Sequence, residues 1–256
     1  MEALVALVDA LRPGLLAWAL AGLRVLPVVL LCPLLGGMLA PAPVRLSVAA
    51  SLALALGPLA GPAPHGSIEL GARCCREAGL GLLLGLGAAL PFDAARIGGR
   101  LVDLVRGTSA EAVLPVAGHR ESATADVLYQ LLISLALSAG ALPVLLRALG
   151  RSYLLLPPGS APLGTGALGL ARSVGISLAT GASIAAPVIA LSWVTDAGVG
   201  LLLRAAPGVP LPELATPVRI LGGASVLWLC LGLVADRLLG AMLAPEAGWL
   251  PAVLGP

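Results

Sequence analysis

Six apolar stretches take up most of this 256-residue chain, at positions 14–35, 46–61, 78–92, 127–146, 173–195 and 220–235. Five of them hold no formal charge over at least 15 consecutive residues, and the first is interrupted only by Arg24. Backbone groups in lipid must satisfy one another, so uninterrupted runs of this kind fold as helices rather than as alternating barrel strands. The expected fold is an all-α membrane protein with about six hydrophobic helices. A straight span needs roughly 17–25 apolar residues, which leaves windows 46–61, 78–92 and 220–235 short.

Composition supports the class: 59% of residues are hydrophobic and 11% charged, against about a quarter charged in soluble domains. Aromatic residues supply only 3%, so Trp18, Trp193, Trp228 and Trp249 are too few for complete interface belts. Every cationic side chain is Arg, which genome base composition explains as readily as function, and a net charge of +2 names no nucleic-acid partner. Glu2 and Asp9 replace the basic start of a signal peptide, so the first segment is expected to be retained. Cys32 and Cys230 lie in apolar runs and Cys74 adjoins Cys75, a spacing suited neither to a mutual disulfide nor to zinc. His65 and His119 fall in loops without a second ligand at helical spacing, so neither a metal site nor a cofactor is expected.

Pro27, Pro33, Pro91, Pro143 and Pro187 lie within or beside the expected helices and invite kinks. Small residues mark close helix contacts in membranes: Gly81 and Gly85 form a GxxxG pair, and Gly175, Ala179, Ala182 and Ala186 line one side of the fifth segment. Arginine in loops should give orientation, but six alternating spans place seven on each side. That tie, with three short windows, argues against simple alternating spans.

The longest hydrophilic insertion, 93–126, opens as a two-faced helix. Asp93, Arg96, Arg100, Asp103 and Arg106 share one half of the circumference, and Ile97, Leu101, Val102, Leu104 and Val105 the other. The charged face suits a solvated or headgroup-facing helix as well as a functional one. A loop of small and polar residues follows from Gly107, through Thr108, Ser109, Ala110 and Glu111 to His119 and Arg120. Such a loop either projects into water or lines an aqueous passage. Arg24, inside an apolar window, is by default a functional candidate, and its bland alternative is to pair with a carboxylate or cap carbonyls freed by Pro27. No acid shares its helix face, so a partner must come from another helix or subunit. No activated nucleophile, carboxylate pair or phosphate-cradling glycine loop is found, and Ser134, Ser183 and Ser192 lack an intramembrane base, so no catalytic residue is expected.

The run RVLPVVLLCPLLGGMLAPAPVRLSVAASLALAL from Arg24, then GLGLLLGLGAALPFDAARIGGRLVDLVRGTSAE, then AAPVIALSWVTDAGVGLLLRAAPGVPLPELATPVRILGG, resembles the SctT/FliR family in order and spacing over residues 15–239. VDLVRG at Val102 to Gly107 and RSY at Arg151 to Tyr153 are more similar to the SctT branch of injectisomes (YscT, HrcT, SpaR) than to the flagellar one. The resemblance implies a non-enzymatic export-gate subunit of the bacterial inner membrane, one domain over 1–256, with hydrophobic helices in 14–92, an amphipathic helix and plug loop in 93–126, and further hydrophobic helices in 127–256. It implies SctR-like and SctS-like partners forming an entrance channel for unfolded secreted polypeptides, with SctU-like, SctV-like and inner rod or needle proteins nearby, and a chain partly raised above the membrane plane. It also implies a plug in 106–120, so that Asp103, Arg106, Gly107, Thr108, Ser109, Ala110, His119 and Arg120 become gate residues and Arg24 a structural intramembrane charge. The rival reading is a small-solute secondary transporter using Pro27, Pro187 and Arg24 at broken helices, but the inverted repeat it needs is not found.

Overall fold

A computed structural model describes residues 2–37, 40–60, 67–107, 111–113, 120–157, 163–205 and 211–243. Its helices are α1 (Glu2–Leu31), α2 (Ala42–Leu56), α3 (Ser67–Arg106), α4 (Ala123–Ser138), α5 (Ala141–Leu155), α6 (Leu163–Ala205), α7 (Leu211–Leu229) and α8 (Leu231–Leu243). Single 3₁₀ turns at Pro33–Leu35 and Gly57–Ala60 follow α1 and α2. The all-α membrane class holds, with one small addition. Within the segment expected to be a bare loop, strands β1 (Glu111–Val113) and β2 (Arg120–Ser122) pair antiparallel, Ala112 opposite Glu121.

The charge-free windows did not coincide with the helices. Window 78–92 and the two-faced segment after it form one 40-residue helix, α3, with Pro91 inside. Asp93 and Arg96 interrupt the apolar run there but not the backbone. Window 127–146 is not one helix, because Gly140 at φ 78° starts a new one, a left-handed conformation that glycine adopts without a Cβ penalty. Window 220–235 is likewise divided, with the helix axis turning 53° between Leu229 and Leu231. Among the described residues four helices are long and apolar enough to cross a bilayer, namely Gly14–Leu31, Ala42–Leu59, Glu69–Arg106 and Leu168–Ala205, and up to six spans result if each bent pair counts as one.

The chain forms two compact units. In the first (Met1–Leu90, Ala139–Ser173 and Leu243–Pro256), α1 presents Val25, Val28 and Val29 at helical spacing, and Cys32 follows directly after it. These pack with Ala49 of α2, Leu84 and Ala88 of α3, and Leu145 and Leu149 of α5. The Gly81/Gly85 pair lets α3 touch the α1 backbone: a Cβ at Gly81 would lie 2.3 Å from the Arg24 carbonyl oxygen, and one at Gly85 2.9 Å from that of Pro27.

In the second unit (Pro91–Ser138 and Val174–Met242), Val102 packs with Ala185 and Val188 of α6, and Phe92 meets the Tyr129 ring edge-on at 6.1 Å. Gly98 and Gly181 provide the close approach of α3 to α6; a Cβ on Gly181 would come within 2.9 Å of the Ala94 carbonyl oxygen. The stripe expected to pack against other helices, Gly175, Ala179, Ala182 and Ala186, is exposed instead. Close packing uses the face bearing Gly181, Ile184, Ala185 and Val188, where two β-branched side chains add contact that small residues alone lack.

Candidate gate segment and its anchoring clusters

Asp103 is the centre of the first cluster. It stands in the last turn of α3, four residues beyond Gly99 and therefore on the same face. A Cβ at Gly99 would lie 2.4 Å from Ala125 Cα, so only glycine lets the first turn of α4 settle on α3 here. With α4 that close, Asp103 reaches its free amides. Asp103 Oδ2 accepts from the Thr124 backbone N–H at 2.9 Å and from Ser122 Oγ at 2.7 Å; Oδ1 accepts from Thr124 Oγ1 at 2.5 Å and from Arg106 Nη1 at 3.5 Å. Ser122 Oγ in turn accepts from the Ala125 N–H at 3.2 Å. Two of the donors that a helix start leaves unpaired are thus satisfied, one by Ser122 and one by a carboxylate from another helix. Negative charge at this end also suits the helix dipole.

Asp103, on the charged half of the helix, is 5% exposed, while Leu104, on the apolar half, is 75% exposed. The reversal follows from α4 covering the Gly99–Asp103 side of α3. Arg106 lies beside Asp103 and is given room by Gly223 of α7, where a Cβ would fall 2.9 Å from Arg106 Cγ. Gly107, at φ 73°, ends α3 with its N–H donated to the Leu104 carbonyl at 3.2 Å. Of the remaining expected gate residues, Arg120 belongs to β2, its backbone opposite Val113. Thr108, Ser109, Ala110 and His119 lie outside the described residues.

The second cluster surrounds Arg24, whose side chain is 0% exposed. Nε donates to Glu77 Oε2 at 2.7 Å, Nη2 to the Leu156 carbonyl at 3.1 Å and Nη1 to Ser152 Oγ at 3.4 Å, while the guanidinium carbon sits 4.1 Å from the centre of the Tyr153 ring. Tyr153 also donates from its hydroxyl to the Ala21 carbonyl at 3.1 Å. The partner does come from another helix: Glu77 lies on α3, on the face that Gly81 and Gly85 continue at four-residue steps. Glu77 was missed because it stands one position before the charge-free window, although that spacing was visible. The Leu156 carbonyl follows the last turn of α5, where a cation suits the helix dipole. Arg24 thereby joins α1, α3 and α5.

Both clusters hold backbone in place: Asp103 the first turn of α4, Arg24 the end of α5. The sequence profile of bacterial export proteins, family 1, matches residues 15–244. The chain belongs to this family, the SctT/FliR family. Among its relatives, Yop proteins translocation protein T of Yersinia pestis is 32% identical over 193 residues, covering 73% of this chain and 72% of that protein. Flagellar biosynthetic protein FliR of Caulobacter vibrioides is 29% identical over 223 residues, 85% of this chain and 89% of that protein. FliR of Escherichia coli (strain K12) is 27% identical over 217 residues, 83% of each. This SctT/FliR member is accordingly a component of a type III secretion or flagellar export apparatus, a structural family not known as enzymatic, and resides in the bacterial inner membrane.

Proposed function

We propose that the chain is a non-enzymatic subunit of an injectisome-type export gate, joined to SctR-like and SctS-like subunits around a channel for unfolded polypeptides. The observation that carries the reading is the length and surface of α6. Beyond its charge-free run 173–195 it carries Arg172, Asp196 and Arg204, and from Leu168 to Ala205 it has 38 residues. At 1.5 Å per residue that is about 57 Å of helix, nearly twice a hydrocarbon core of about 30 Å. Tilts of 0–40° cannot absorb the excess. Large apolar side chains are exposed along it, including Leu168, Ile176, Trp193, Val194 and Leu201, and surface beyond the reach of lipid needs protein to cover it. Sister subunits would supply that cover and hold part of the chain above the membrane plane, as the tied arginine count also suggests. SctU-like and SctV-like proteins and the inner rod or needle would be neighbours in the same apparatus.

In this reading the segment 106–120 is the plug. A polypeptide channel needs a constriction with little hydrophobic grip, and Thr108, Ser109 and Ala110 are small or polar. Two measurements test it. Coexpression with SctR-like and SctS-like proteins should yield one complex of fixed stoichiometry by native mass; a stable, lone chain that moves a small solute would instead support the transporter reading. Deleting 108–115 should leave assembly intact and raise ion leakage, and an assembled deletion complex as tight as wild type would remove the plug from the proposal.

A further inference from the structure

We propose that Asp103 is the positioning residue of the gate segment: from α3 it caps α4 and so fixes where the chain returning from that segment is held. This rests on the plug reading above but names a residue and a mechanism that the reading does not require. The return limb passes through β2 and Ser122 directly into α4 at Ala123, with no spare residue between ribbon and helix. Whatever fixes the first turn of α4 therefore fixes β2, and through the β1–β2 pairing it fixes β1.

Three observations converge on the carboxylate. It accepts from both Ser122 and Thr124, 19 and 21 residues further along the chain. It is nearly fully buried, so water does not compete for its oxygens. Gly99, one turn earlier, removes the Cβ that would push α4 out of reach. Hydrogen bonds to an ionised acceptor are stronger than neutral ones, and a buried donor left without its acceptor is costly. Loss of the carboxylate strands the Thr124 N–H and the two hydroxyls together. Arg106 leans on the same oxygen at 3.5 Å, which ties the outgoing limb to the returning one at a single group.

The test uses the complete complex and two readouts, amide hydrogen exchange at Thr124 and Ala125 and ion leakage per assembled complex. Asp103→Ala is expected to speed exchange at both amides by roughly ten- to a hundredfold, the loss of a hydrogen bond to a charged group, and to raise leakage to at least half that of the 108–115 deletion. Asp103→Asn keeps an accepting oxygen and should fall between. If Asp103→Ala prevents assembly, Thr124→Val serves instead, removing one hydroxyl while keeping the amide; it is expected to give a smaller rise in both readouts. A residue that merely stabilises the fold would lower the yield of complexes without changing leakage per complex, and that result overturns the proposal. So does unchanged exchange at Thr124. If exchange rises but neither Asp103→Ala nor the deletion leaks, the capping role stands and the plug reading falls.

Discussion

Separating Arg24 from Glu77 is the sharpest perturbation available in the first unit. Both side chains are buried, at 0% and 1% exposure, and the ion pair is 2.7 Å long. In Glu77→Ala the guanidinium keeps, among the described residues, the Leu156 carbonyl at 3.1 Å, Ser152 at the long distance of 3.4 Å and the Tyr153 ring face. None of these carries a compensating charge. Breaking a buried pair from one side costs about 3–5 kcal/mol, or roughly two to three and a half powers of ten in the folding equilibrium. Arg24→Met should cost a similar amount, since it leaves Glu77 buried opposite a thioether. The double variant Arg24→Met with Glu77→Leu removes both charges at similar volume and should return to within about 2 kcal/mol of wild type, the residue being the lost bond to the Leu156 carbonyl. The assay is thermal unfolding of the detergent-solubilised protein, followed by the monodisperse fraction of a fluorescent fusion on size exclusion, for all four members of the cycle. Two near-neutral single variants, or a double variant as unstable as the sum of the singles, would refute the view that charge compensation holds α1, α3 and α5 together.

Other expectations follow from the same packing. Gly81→Val drives a side chain into the Arg24 carbonyl and should abolish folded protein, whereas Gly71→Ala, with nothing within 4 Å, should be neutral or gain up to about 1 kcal/mol; expression with the same fusion reports both. Leu84→Ala should cost roughly 1–3 kcal/mol, the packing part of a core truncation, because lipid is as apolar as the core. Leu82→Ala, half exposed on the same helix, should cost less than about 1 kcal/mol in the isolated chain. Equal losses at the two leucines would contradict the assigned faces of α3.

Membrane class and helical content were legible because apolar runs this long permit little else, and the Gly81/Gly85 pair did mark a close helix contact, whereas the similar small-residue stripe from Gly175 to Ala186 is exposed. The requirement that Arg24 find a partner on another helix followed from its own helix face, but the identity of Glu77 did not, since Glu77 stands just outside the charge-free run 78–92. Helix ends were misjudged for the same reason: charge marks a change of surroundings, not of backbone, so α3 runs on through Asp93 and Arg96. Apolar character, conversely, conceals breaks, and Gly140 starts a new helix inside a window without a single charge. The capping role of Asp103 was not legible because its partners Ser122 and Thr124 are 19 and 21 residues away in the chain, although Gly99 on its face was a usable sign of close packing. The ribbon of β1 and β2 escaped notice because three-residue strands are too short to show alternation.

The conduit itself is tested most directly by photocrosslinking in an export-competent strain, with a photoreactive residue at Thr108 or, as a control, at exposed Trp193 on α6, and a secreted substrate stalled by a folded fusion partner. A substrate adduct at Thr108 and none at Trp193 is the predicted result. Stalled substrate that never crosslinks within 106–120, or that crosslinks from Trp193 as readily, would contradict a passage gated by this segment.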